Sequence, residues 1–196
     1  MDAPWALRTG ARRVRREEAA KMRRWLGMTL ALVMVVATGA AASAQGTPTG
    51  SPILPGQAVG AFHLGEDVHE MVSFLGPIHS EDDIPGSSLT AYFWPLKRVG
   101  AIADKGSNKV VALVVSLDDG YQTDKGIGAG AEMDSVRTAY GHEQTVDSHE
   151  DDDTLVYDSL GVAFLVDKSG ALGSRVSAIF VFNPGQYKSI FEQDEP

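Results

Sequence analysis

Cysteine is absent from all 196 residues, which excludes disulfide bridges, thiolate chemistry and the lipid-bearing cysteine that tethers a bacterial lipoprotein. Stability must come from packing alone. Basic residues are scarce beyond the N-terminal segment: residues 45–196 hold nine Lys and Arg against 23 Asp and Glu, a formal net charge of −14. Such a surface keeps a small domain soluble and repels phosphate backbones and anionic lipid. That argues against nucleic acid or a membrane surface as a partner, and leaves basic proteins or metal ions open. Long apolar runs are equally rare, with one exception near the start.

That exception reads as an export signal. Lys21-Met22-Arg23-Arg24 precedes an uncharged, mostly apolar stretch from Trp25 to Ala44. It ends in Ala41-Ala42-Ser43-Ala44-Gln45, with small residues where a signal peptidase needs them. Cleavage is expected between Ala44 and Gln45, giving a secreted or periplasmic chain with no membrane contact afterwards. A run of this length also suffices for an uncleaved anchor, but its Gly- and Ala-rich second half favours cleavage. The long basic lead, Arg8, Arg12, Arg13, Arg15 and Arg16, fits a start of synthesis at Met22. The pair Arg23-Arg24 leaves general and twin-arginine export undecided. Residues 1–44 are thus extension and signal, and residues 45–52 a linker.

The motifs of common chemistries are also missing. There is no Gly-x-Ser-x-Gly nucleophile elbow, and His69-Glu70-Met71-Val72-Ser73 lacks the second histidine of the zinc-protease helix. Gly126-Ile127-Gly128-Ala129-Gly130 lacks the βαβ setting of a phosphate loop and reads as a structural lead-in to a helix. His149-Glu150-Asp151-Asp152-Asp153 gathers hard oxygen ligands without the spacing or glycine of a calcium-binding loop. It reads as a solvated acidic loop, with a counterpart at Glu81-Asp82-Asp83. No catalytic residue, metal ligand or cofactor site is assigned. An enzyme of unrecognised type that uses these acidic loops, with or without a divalent cation, is the alternative to a binding function.

What is present is a pattern that occurs twice. Setting Gly65 beside Gly130 also aligns Gly76 with Gly141, Asp82 with Asp147 and Tyr92 with Tyr157. After a one-residue shift, Val110, Ala112 and Val115 face Val176, Ala178 and Val181. Asp104-Lys105 faces Asp167-Lys168 after a two-residue shift the other way. Ordered matches of this kind indicate an internal repeat, with units at 53–118 and 119–184 and a tail at 185–196.

Within each unit the periods change in step. Val68, Met71, Val72 and Leu75 follow helical spacing, as do Met133, Val136 and Tyr140. Gly76 and Gly141 close these helices in a left-handed conformation, and Glu66, Asp67, Glu132 and Asp134 complement their positive ends. Strand signals follow at Leu89 to Trp94, Val99 to Ala103 and Val110 to Leu117, then at Leu155 to Tyr157, Val162 to Val166 and Val176 to Phe182. Turn-forming residues connect them. The expected fold is α+β: two tandem repeats, each a short helix followed by an antiparallel three-stranded meander, with the helices on one face of the sheet.

The last strand of each unit is apolar at both parities, whereas a half-exposed strand alternates. Either loops or the Gln186 to Phe191 tail cover the second face, or that face awaits a partner. Tyr92 and Trp94 share one side of their strand, and Tyr157 takes the position matched to Tyr92. These three are candidate binding anchors, since such side chains join large apolar area to a polar handle; core packing is the competing role.

Gly60-Ala61-Phe62-His63-Leu64-Gly65 with its helix and Gly76-Pro77, and Gly126 to Gly130 with its helix and Gly141, resemble the helix lead-ins of two groups. These are the secreted β-lactamase inhibitory proteins and the BamE-type outer-membrane assembly lipoproteins. The resemblance covers residues 53–184. It implies helices packed on an antiparallel sheet, in tandem as in the inhibitors, and a binding role. The chain departs from both in lacking cysteine. The function expected is a non-catalytic module that binds a protein or peptide through an open sheet face; a structural role in the cell envelope is a further alternative.

Overall fold

The helical spacing after Gly65 and Gly130 becomes two helices of eight residues each. The computed structural model describes residues 51–116, 120–169 and 173–192. The signal, the cut after Ala44 and most of the linker lie outside the described residues, which belong to one compact unit, Gly46–Pro196. In chain order the elements are β1 (Ser51–Leu54), β2 (Ala58–Val59), β3 (Phe62–His63), α1 (Val68–Leu75), β4 (Ser80–Asp83), β5 (Leu89–Trp94), β6 (Val99–Asp104) and β7 (Val110–Ser116). Then come β8 (Tyr121–Thr123), α2 (Met133–Tyr140), β9 (Thr145–Ser148), β10 (Asp152–Tyr157), β11 (Val162–Asp167), β12 (Arg175–Phe182) and α3 (Tyr187–Phe191).

Asp67 caps α1 by accepting the His69 backbone N–H at 3.0 Å, which satisfies one orphan donor of the first turn. Glu132 stands at the same place before α2 without capping it, and its carboxylate pairs with Arg175 at 3.0 Å instead. Both helices stop at the expected glycines, whose N–H groups donate to Val72 and Arg137. Their conformation differs from the expected left-handed stop. Gly76 has φ 85° and ψ −171°, and Gly141 φ 83° and ψ −164°, a region open essentially to glycine alone. The extended ψ sends the chain straight out of the helix towards the next strand.

The fold is α+β. Its main sheet has eight strands in the order β4-β5-β6-β7-β12-β11-β10-β9, antiparallel throughout. Strands β4 and β9 were not expected: each set of three gains an outer strand. Ser80-Glu81-Asp82-Asp83 and Thr145-Val146-Asp147-Ser148 carry little strand propensity, but an edge strand tolerates charge and is protected by it from stray pairing. In the middle β7 and β12 pair from Ala112↔Phe182 to Ser116↔Ala178.

A smaller sheet, β3-β2-β1-β8, ties the two helix lead-ins together, because β1 pairs with β2 on one side and with β8 on the other. One core lies between the helices, this small sheet and the first face of the main sheet. Val68, Met71, Val136, Ile53, Val59 and Phe62 meet Leu113, Phe164, Ile179 and Val181 there. Each Leu- or Phe-sized side chain so buried contributes about 1.5–3 kcal/mol.

The same backbone bonds fasten each helix start. Gly65 N–H donates to Val110 O at 2.7 Å, Val110 N–H to Glu66 O at 2.9 Å and Val68 N–H to Asn108 O at 2.9 Å. Gly130 donates to Val176 O at 2.8 Å, Val176 to Ala131 O at 2.9 Å and Met133 to Ser174 O at 3.2 Å. Bulges fall at matching points, between Ile102 and Ala103 and between Leu165 and Val166. Asp104 and Asp167 each hold the next turn by accepting the N–H and hydroxyl of Ser107 and Ser169 respectively.

Candidate binding surface

The three aromatic candidates lie on the covered side of the main sheet. Tyr92, Trp94 and Tyr157 are 7%, 2% and 3% exposed, within the core under the helices. They are not surface anchors. Their polar ends are used internally: Trp94 Nε1–H donates to the Gly76 carbonyl at 3.0 Å, and the Tyr157 hydroxyl donates to the Gly141 carbonyl at 2.9 Å. Each bond ties the end of a strand to the closing glycine of a helix, where carbonyls lack intrahelical partners. The bond like that of Tyr157 is thus made by Trp94 and not by Tyr92. Burial pushes the Tyr157 hydroxyl up to about 12.

The acidic stretches are largely engaged in holding hairpins. Asp83 accepts from Thr90 at 2.9 Å and pairs with Lys105 at 3.2 Å. Asp153 pairs with Lys168 at 2.9 Å, and Lys168 also reaches the His149 carbonyl at 2.6 Å. Asp152 differs, because one of its carboxylate oxygens is buried without a partner and burial raises its carboxyl above the usual range. Among the described residues no three His, Asp or Glu side chains converge as a metal site.

The second face of the main sheet holds what remains. Residues paired across antiparallel strands share a face, so registers place Phe93, Gly100, Val114, Phe180, Ala163 and Val156 in one rung across six strands. The rung is wholly uncharged. Gly100 makes it smooth: a Cβ there would stand 3.3 Å from the Phe93 ring and 3.6 Å from Val114 Cβ. A parallel rung, Ala91, Ile102, Ala112 and Phe182, leads under α3.

Helix α3 covers only part of this face. Tyr187 and Ile190 are buried against Leu89, Ile102, Ala112, Val156, Ala163 and Phe182. Phe191 packs on Phe180 and Phe182, with ring centroids 5.3 and 5.9 Å apart. The Tyr187 N–H donates to Asp158 Oδ1 at 3.1 Å. Burial, with the Asp147 carboxylate adding to it, pushes the Tyr187 hydroxyl well above the ordinary tyrosine value. Beside the helix a groove of about 320 Å³ runs between Ser87, Leu89, Val111, Gln186 and Ile190.

Beyond α3 this face stays half open. Phe93, Val114, Leu165 and Phe180 are all half-buried. Asp82, Asp104, Asp147 and Asp152 sit on the same face at its margins, paired with Ala91, Leu89, Thr154 and Asp167. The sequence pointed to this face through its doubly apolar strands, but assigned the aromatic anchors to the wrong side. Phe93, between Tyr92 and Trp94 on the same strand, is the one that faces it.

No protein family matches the chain, and no curated protein is similar to it in sequence. Among solved structures, the uncharacterized protein yfeY from Escherichia coli is similar at 11% identity, covering 69% of this chain and 100% of that one with a TM-score of 0.47. That likeness bears on neither fold nor function. Among the described residues no helix is long and apolar enough to cross a membrane.

Proposed function

We propose that this is an exported, non-catalytic module that binds a protein segment on the second face of its main sheet. The observation that carries it is the uncharged patch of Phe93, Val114, Leu165 and Phe180 on that face, left half open between acidic margins. An apolar stripe of this kind favours association by releasing water. Asp82, Asp104, Asp147 and Asp152 select for a partner with basic residues flanking an apolar stretch, as does the net charge of −14 beyond residue 44. Signal cleavage after Ala44 would place this surface outside the cytoplasm, and an N-terminus at Gln45 in the mature protein is the corresponding measurement.

Two further features support a duplicated architecture, in which each unit is a helix followed by a meander. The bonds at Gly65, Val110 and Val68 have counterparts at Gly130, Val176 and Met133, and Trp94 and Tyr157 close their helices alike. Duplication accounts for why so broad an apolar face exists: β7 and β12 join two like halves into one sheet. Tandem units of helix and antiparallel sheet are also what the resemblance to the secreted inhibitory proteins implies.

Replacing Val114 and Leu165 together by lysine tests the binding site, since both are half-exposed and tolerate charge at their tips. The double variant is expected to keep its unfolding free energy within about 1 kcal/mol of the parent and to lose partner affinity by roughly tenfold or more. Capture from the source organism's envelope fraction, unchanged by the double variant, would rule out this face.

A further inference from the structure

We infer that helix α3 is a resident occupant of the binding face, and that the partner enters as a short aromatic helix that takes its place; this rests on the second face being the binding surface. The occupant is visible in the chain itself. Tyr187, Ile190 and Phe191 stand at positions i, i+3 and i+4, the spacing by which one helical stripe fills an apolar groove. They fill it well: Tyr187 and Ile190 are 5% and 6% exposed. The floor suits that shape. Ala112 and Ala163 leave room beneath, while the Phe182 ring meets Tyr187 at a tilt and Phe191 edge-on, with centroids 5.5 and 5.9 Å away.

The attachment of α3 is of the kind that releases. It has five residues, well short of the ~12–15 at which a helix begins to persist alone, so its order depends on docking. Its leader, Asn183 to Gln186, is exposed along its whole length. No strand ladder holds the helix. Its described backbone bonds to the rest of the chain are the Tyr187 N–H to Asp158 and, just before it, Gly185 N–H to the Asp158 carbonyl at 3.0 Å. Detaching α3 would join the covered rung of Ile102, Ala112 and Phe182 to the half-open rung of Phe93, Val114 and Phe180. The result is one apolar surface two rungs deep, wide enough for a helix with an aromatic residue at its first and fifth positions and an aliphatic one at its fourth.

A tethered segment competes at an effective concentration of about a millimolar, so removing it should tighten partner binding by roughly tenfold or more. The test uses the chain ended after Gly185, the full-length chain, and a synthetic peptide of residues 183–196 as the probe. The shortened chain is expected to bind the peptide saturably, and the full-length chain to bind it at least tenfold more weakly. Equal binding to both chains, or none to a folded shortened chain, overturns the inference. If shortening prevents folding, hydrogen exchange on the intact protein decides. The amides of Ile190 and Glu192 are expected to exchange at least 100-fold faster than those of Leu113 and Val181, and equal protection would show that α3 opens only with the whole fold. Loss of α3 exchange with the Val114 and Leu165 lysine effect still present would sink the displacement while leaving the binding face standing.

Discussion

The Tyr157 hydroxyl and the Gly141 carbonyl form one of two bonds that lock a strand to the end of a helix. Replacing Tyr157 by phenylalanine keeps the ring packing on Tyr140 and Phe164, whose centroids lie 5.4 and 5.9 Å away, and removes the bond alone. Urea unfolding should register a loss of about 0.5–1.5 kcal/mol, with partner binding unchanged; a comparable loss of binding with no loss of stability would return Tyr157 to the surface role. Gly141→Ala tests the backbone separately. Nothing lies within 4 Å of an added Cβ, so the expected loss of about 1–3 kcal/mol comes from the φ of 83° and extended ψ alone. The sequence showed that a glycine stops each helix, because only the sign of φ demands one. It did not show ψ, which depends on where the next strand lies. The identity of Tyr92 and Tyr157 misled for a related reason. Five residues, 84–88, connect β4 to β5, but only three, 149–151, connect β9 to β10, so the register slips by two and Trp94 makes the matching bond.

Elements were legible where their period was strong and hidden where charge masked it. The two long helices and the six inner strands announce themselves by apolar spacing, whereas β4 and β9 read as acidic loops because only neighbouring strands make them strands. Tail α3 stood among the options for covering the second face, but its five residues could not reveal how much of that face it leaves open. Its docking has a pH signature. The Tyr187 hydroxyl is raised above the ordinary 10.0 by burial first and by the carboxylates of Asp147 and Glu192, with a bond to Thr154 acting the other way. The stability it carries is fully present below pH 10 and is lost as pH rises through the higher folded value. Tyr92, Tyr140 and Tyr157 are raised as well, so the informative quantity is a difference. Between pH 9 and 12 the parent should lose more unfolding free energy than Tyr187→Phe; identical profiles would mean that the hydroxyl is not held in the folded protein as described.

Taken whole, the chain forms one eight-stranded sheet with unlike faces. The first face is closed by two helices and a small sheet that binds their lead-ins together, and its burial supplies the stability that cysteine cannot. The second is closed by α3 near one end of its strands and half open beyond. The composition already carried the electrostatic half of this account, since an excess of acid over base is a property of sequence alone. The sidedness was not available there, because which parity faces the helices is settled only when both halves pack. Photo-crosslinking in the envelope of the source organism tests the binding face most directly, with a photoreactive phenylalanine analogue placed in turn at Phe93, Val114 and Leu165 on the second face and at Ser73 and Thr138 on the exposed sides of α1 and α2. A partner polypeptide is expected to be captured from the first three positions and not from the last two. Capture from Ser73 and Thr138, with none from Phe93, Val114 and Leu165, would contradict it.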